Sequence, residues 1–218
     1  MKQKIFSATM LTLMILSLAA CATSTSLTGL WKDNKFNEKP LDSIMVLGIA
    51  KKSDVGQRFE NLFVDAFQKK GVTSVAAHKI IPESRQLTKE NIKEHKEIIR
   101  EAADANHLRV VLITHLIRVT EEEDDLKAQK FDPEPSSSYH DMGTYSIFVY
   151  RGMKSSDPTR SVTREYVRLR TQLYDTASEK LIWSVSSQSV DPNSVDTIFR
   201  ELLDVIMNQL IADGFIGS

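Results

Sequence analysis

Val110-Val-Leu-Ile113, inside the longer stretch Leu108 to Val119, is the passage that decides the fold. Four apolar residues in succession leave neither side of a strand polar. Such a strand needs cover on both faces, as in a sheet sandwiched between helices. Upstream, Ile44-Met-Val-Leu-Gly-Ile-Ala50 is a second short apolar run with β-branched residues, consistent with a buried strand. Between the two runs the period changes. Val55, Phe59, Leu62, Phe63, Ala66 and Phe67 recur at helical spacing, and Gly71 stands where a C-terminal cap belongs. Val72 to Ala76 reads as a shorter strand. Thr88 is placed to cap a second helix whose apolar face carries Ile92, Ile98, Ile99, Ala102 and Ala105. The order β-α-β-α-β predicts an α/β layer fold.

Downstream the pattern changes again. Residues 120–143 hold Glu121-Glu-Glu-Asp-Asp125, Pro133, Pro135 and a serine run from Ser136, which predicts a long exposed loop. Tyr145 to Tyr150 is a strand candidate. From Tyr166 to Tyr174 the alternation is clean. Val167, Leu169, Thr171 and Leu173 face one way, and Arg168, Arg170 and Gln172 the other. A polar turn over Asp175 to Lys180 leads into Leu181-Ile-Trp-Ser-Val185, predicting an antiparallel hairpin with one wet face. A final helix is expected from Val195 to Ala212, after Asp191-Pro192 and ended by Gly214. The expected fold is therefore α/β: a mixed sheet, β-α-β-α-β, then an antiparallel hairpin and a C-terminal helix.

The N-terminal end gives an address. Lys2 and Lys4 precede an apolar stretch from Ile5 to Leu18, diluted by Ser7, Thr9, Thr12 and Ser17, and Ala19 and Ala20 lead to Cys21. A run this short, followed by small residues, predicts a secretory leader rather than a membrane span. Leu18-Ala-Ala-Cys21 resembles a lipobox, the processing site of bacterial lipoproteins. That resemblance implies cleavage before Cys21, diacylglycerol on its sulfur and acylation of its new amino group. Several chains are needed because each buried methylene contributes only about 0.8 kcal/mol. Ala22, rather than Asp, follows the cysteine, which by analogy with enteric sorting implies the outer membrane. The expected organisation is a signal peptide over 1–20, a lipidated cysteine and tether over 21–40, and one periplasmic domain over 41–218.

Composition restricts the chemistry. The chain has 218 residues, 41% hydrophobic and 26% charged, enough for one well-buried domain. A formal net charge of -1 and no basic segment argue against a nucleic-acid partner. The single cysteine excludes an intramolecular disulfide and a cysteine metal site. His78, His95, His107, His115 and His140 show no two-histidine helical spacing with an acid. The acidic run, with His140 and Asp141 downstream, lacks the glycine turn of a calcium loop and reads as a solvated loop. No serine lies in a nucleophile elbow and no glycine pattern cradles phosphate, so no catalytic residue, metal or cofactor is expected. Arg164, Tyr166, Arg168, Arg170 and Tyr174 form a candidate interaction face for an anionic partner, against the plainer reading of a wet sheet face.

Several phrases carry a wider resemblance. They are Trp31-Lys-Asp33, Met45-Val-Leu-Gly-Ile49, Arg58-Phe-Glu60, Gly71-Val72, Val110-Val-Leu-Ile113, Leu173-Tyr-Asp175, Lys180-Leu-Ile-Trp183 and Asp191-Pro-Asn-Ser-Val195. In this order they resemble a widespread group of small bacterial lipoproteins with no assigned activity. More remotely, the element order is similar to the α/β domain of the curli secretion channel lipoprotein. Neither resemblance implies a catalytic residue, and fold likeness does not fix function. The favoured expectation is a non-enzymatic interaction or assembly module, held to the membrane through acyl chains on Cys21 and meeting an envelope protein. A carrier for a small or lipidic molecule is second and would show a sizeable apolar pocket. An envelope hydrolase is third and would show a carboxylate pair in a cleft. No sequence feature specifies an oligomeric state.

Overall fold

A computed structural model describes residues 25–82, 87, 94–122 and 164–217. The leader, Cys21, Thr88, Ile92, Glu123 to Asp125, His140 and the strand expected over Tyr145 to Tyr150 lie outside these residues. The described elements are β1 (Thr25–Lys32), β2 (Ser43–Ile49), α1 (Ser53–Lys69), β3 (Thr73–Ala76), α2 (Ala77–Ile80), α3 (His95–Ala105), β4 (Val110–Glu122), β5 (Arg164–Asp175), β6 (Leu181–Val190) and α4 (Val195–Ala212). The six strands form one sheet in the order β1-β6-β5-β4-β2-β3. β2 runs parallel to both β3 and β4, whereas β4-β5, β5-β6 and β6-β1 are antiparallel. The mixed α/β sheet with a hairpin and a C-terminal helix is the fold the sequence predicts.

Alternation sorts the core into two layers. Ile44, Val46, Val110, Leu112, Leu173 and Trp183 point to the face covered by α1 and α4, meeting Phe59, Phe63, Phe67, Leu202 and Ile206. Met45, Leu47, Val111 and Ile113 point to the other face, against Ile98, Ile99 and Ala102 of α3. All four residues of Val110 to Ile113 are fully buried, as a doubly covered central strand requires.

Three helices end by the same device. In α1 the Gly71 and Val72 amides donate back to the carbonyls of Gln68 and Phe67, and α4 repeats the pattern with Gly214 and Phe215. Both glycines have φ of 77°, where a side chain is disfavoured. α3 ends likewise with His107 in the left-handed position and Leu108 returning to Ala103. In each case the residue after the reversal drops into the core beside the last helical turn.

Two expectations need correction. The tether expected over 21–40 includes strand β1, which pairs with β6 from Thr25↔Ser189 to Lys32↔Trp183. Its Ser/Thr-rich sequence hides a strand because the facing row of β6 is itself serine-rich. The Thr25 hydroxyl bonds Ser189 Oγ at 2.6 Å and donates to Glu201 of α4 at 2.8 Å. Secondly, the hairpin's second face is not uniformly wet. Tyr174 is fully buried against the α3 layer and Arg170 is 5% exposed.

Asp213, just past α4, fastens the last helix to the sheet. Its carboxylate accepts from Lys32 Nζ of β1 at 2.7 Å, Trp183 Nε1 of β6 at 3.0 Å and Gln209 Nε2 at 2.9 Å. Burial alone raises its pKa, but these three donors outweigh burial and lower it.

Candidate functional site

At the carboxyl ends of β2 and β4 the two helices of one face fail to close on the sheet. The floor of the resulting cleft is Thr114, Leu116, Val119, Val167 and Leu169, from β4 and β5. One wall is Val55 and Phe59 of α1, and the other is Val195, Ile198 and Phe199 of α4. Its volume is about 500 Å³, within the usual range of ligand sites. Crevices at the carboxyl ends of parallel strands are where open α/β sheets bind ligands.

Local packing holds the cleft open at its base. Gly48 and Gly56 place the β2 and α1 backbones in direct contact. A Cβ on Gly56 would lie 2.5 Å from the Gly48 carbonyl oxygen, and one on Gly48 2.8 Å from the Phe59 ring. Phe59 stands edge-on to Phe199 at 5.4 Å between centroids, joining α1 to α4 below the opening. Across the outer rim Arg58 reaches Asp196 of α4 at 2.7 Å and Asp54 at 3.9 Å. Both partners of the Arg58–Asp196 pair are exposed, so it orients the rim more than it stabilises the fold.

Glu60 sits on the apolar stripe of α1, almost buried. Its carboxylate accepts from the Gly48 amide at 3.0 Å and the His78 amide at 2.9 Å, and lies 2.5 Å from His78 Nδ1. Burial raises its pKa, against the opposing pull of these bonds. The arrangement fixes the β2–α1 turn and α2 below the cleft. The sequence phrase Arg58-Phe-Glu60 marked the position without revealing this role. The available signal was a glutamate in phase with Phe59, Phe63 and Phe67.

The cleft presents little reactive chemistry among its described residues. The Thr114 hydroxyl is bonded to that of Thr171 at 2.9 Å. His115 directs its ring, by strand alternation, to the opposite face, where it pairs in register with Arg170. Burial, with the Arg170 charge adding, lowers its pKa to about 3. Among the described residues no group of three or more His, Cys, Asp or Glu side chains is arranged to hold a metal.

The predicted interaction face disperses. Arg164 belongs to β5 opposite Glu122. Tyr166 and Arg168 are half-buried, and the Arg168 guanidinium lies 5.9 Å from the Tyr166 ring centroid and donates to Gln188 at 2.7 Å. Arg170 donates to Ser186 Oγ at 3.2 and 3.3 Å inside the sheet face. Tyr174 is core. Only Tyr166 and Arg168 remain together at a surface among the described side chains. Of the five large apolar residues exposed among the described ones, Leu116, Val119 and Val195 line the cleft, at 36%, 43% and 41% exposed, while Leu30 and Trp31 lie on β1.

Among the described residues no helix is long and apolar enough to cross a membrane. No family model matches the chain, so the resemblance to a widespread lipoprotein group gains no sequence support, and no curated protein matches it. Among solved structures, the chain is similar to a PelC dodecamer from Paraburkholderia phytofirmans, with 11% identity and a TM-score of 0.40. That match covers 84% of this chain and 93% of that one. It is also similar to lipoprotein GNA1162 from Neisseria meningitidis, with 13% identity and a TM-score of 0.42, over 78% of this chain and 98% of that one.

Proposed function

We propose that the protein is a membrane-anchored envelope lipoprotein whose domain is a non-enzymatic interaction module, receiving an apolar group of its partner in the cleft between α1, α4 and the sheet. The observation that carries this reading is the cleft's apolar lining combined with its exposed rim of Leu116, Val119 and Val195. Apolar side chains gathered at an opening lose unfavourable hydration when a partner covers them. The buried polar groups nearby serve structure: Thr114 bonds Thr171, and the His115 imidazole is too weak a base to activate a nucleophile. The lipid anchor rests on the leader and Cys21.

A second reading, a carrier for a small lipidic molecule, is favoured by the cleft volume alone. A carrier encloses most of its ligand, whereas this cleft leaves its rim in water. Lipid extracted in stoichiometric amount from the purified protein would favour the carrier.

The test uses the apolar fluorophore phenylnaphthylamine. The wild-type protein is expected to bind it saturably. Leu116→Asp, a change at an exposed lining position, should weaken binding at least about tenfold, because an ionised carboxylate must be desolvated. Absence of saturable binding, or equal binding by the variant, would contradict the reading.

A further inference from the structure

The register of the sheet relates the cleft to the membrane anchor. Val119 of β4 pairs with Val167 of β5, Val167 with Ser189 of β6, and Ser189 with Thr25 of β1. These four residues form one row across the sheet, and Val119 and Val167 also line the cleft. Three strand spacings separate Val119 from Thr25, about 14 Å. Cys21 precedes Thr25 by four residues, a reach of at most about 14 Å. An acylated Cys21 would therefore hold Val119, at the open end of the cleft, within about 28 Å of the bilayer.

The chemistry of that end suits such a neighbour. The charged residues lining the cleft on its own side of the sheet are Lys51, Lys52 and Glu165, two basic against one acidic, since Arg118 pairs in register with Arg168 on the opposite face. Lys51 and Lys52 are exposed on the β2–α1 turn beside the apolar rim. Apolar side chains flanked by lysines are what an interfacial protein presents to head groups and the acyl boundary beneath them.

We propose that the open end of the cleft docks on an anionic lipid surface, with Leu116, Val119 and Val195 entering the acyl boundary and Lys51 and Lys52 contacting the head groups. This deepens the binding-module reading and rests on it: the partner that fills the cleft is membrane lipid. Docking in this way fixes the tilt of the domain on the membrane and turns the α3 face and the β3 edge of the sheet outward.

The test uses the chain from Ala22 to Ser218, which keeps every described element and lacks the acyl anchor. Its sedimentation is measured with phosphatidylcholine vesicles and with vesicles of equal parts phosphatidylcholine and phosphatidylglycerol. The anionic vesicles should bind roughly thirtyfold tighter, the effect of two lysines near a charged surface. Lys51→Glu with Lys52→Glu should remove that preference. Val119→Asp with Val195→Asp should weaken binding to both vesicles, and all four positions are exposed, so the fold is expected to persist. Wild-type chain that ignores both vesicles, or variants that bind as the wild type does, would overturn the proposal. So would a dimer that Val119→Asp with Val195→Asp converts to monomer, since a second copy would then own the cleft. Phenylnaphthylamine binding without vesicle binding would overturn lipid docking and leave the module reading intact, and loss of both would remove the two together.

Discussion

His115 and Asp213 are both drawn out of water, yet they answer pH differently. His115 has the like charge of Arg170 beside it; it is 4% exposed, and its pKa falls from 6.5 to about 3. The folded state then binds fewer protons than the unfolded state between these values, so stability rises with pH across the window and is complete above 6.5. Asp213 is held ionised by its three donors, and its contribution is lost only as pH falls below the ordinary carboxylate range. Glu60 works in the opposite sense. Its raised pKa lowers stability as pH rises through the window above 4.5. Urea unfolding at pH 6.5 and 4.5 should therefore show a loss traceable to His115, of order 1 kcal/mol per pH unit. His115→Gln should flatten that part of the profile. An unchanged slope in the variant would show that the imidazole is not buried neutral. The sequence placed His115 in the central strand, within Leu108 to Val119. It gave no sign of Arg170, because strand alternation separates two faces without saying which face a neighbouring helix covers.

At the scale of elements, the contact of β2 with α1 decides how the cleft is built. Alanine is the better helix former, and Gly56→Ala in an open helix would gain up to about 1 kcal/mol. Here the new Cβ would meet the Gly48 carbonyl at 2.5 Å, a backbone atom that moves only with its strand. The overpacking cost, about 1–3 kcal/mol, should win. Gly56→Ala is expected to lower the unfolding free energy by about 1–2 kcal/mol in urea titration. A more stable variant would mean that α1 does not rest on β2 in this way. Most elements were legible. The apolar runs at Ile44 and Val110 gave the strands, the phenylalanine stripe gave α1, and Gly71 and Gly214 gave the helix ends. β1 was missed because an edge strand beside a serine row needs few apolar residues. The cleft was missed because it arises where two helix ends diverge, and no local pattern encodes that divergence.

For the whole molecule, the proposed lipid anchor, the sheet register and the apolar cleft fit one arrangement. The row from Thr25 to Val119 brings the chain's approach to Cys21 and the mouth of the cleft to one end of the sheet. The segment read as a tether thus supplies an edge strand. The candidate face read from Arg164 to Tyr174 gave way to the cleft for a related reason. Alternating arginines and tyrosines resemble a solvated surface until α3 and the serines of β6 are known to cover part of it. Acylation at Cys21, as proposed, would orient the whole domain on the membrane. Cells expressing the wild-type chain or Cys21→Ser, grown with radiolabelled palmitate, test it directly. Label is expected in the wild-type protein and none in Cys21→Ser, which should accumulate as an unprocessed precursor because its oxygen cannot form the thioether. Equal label in both proteins would contradict the account.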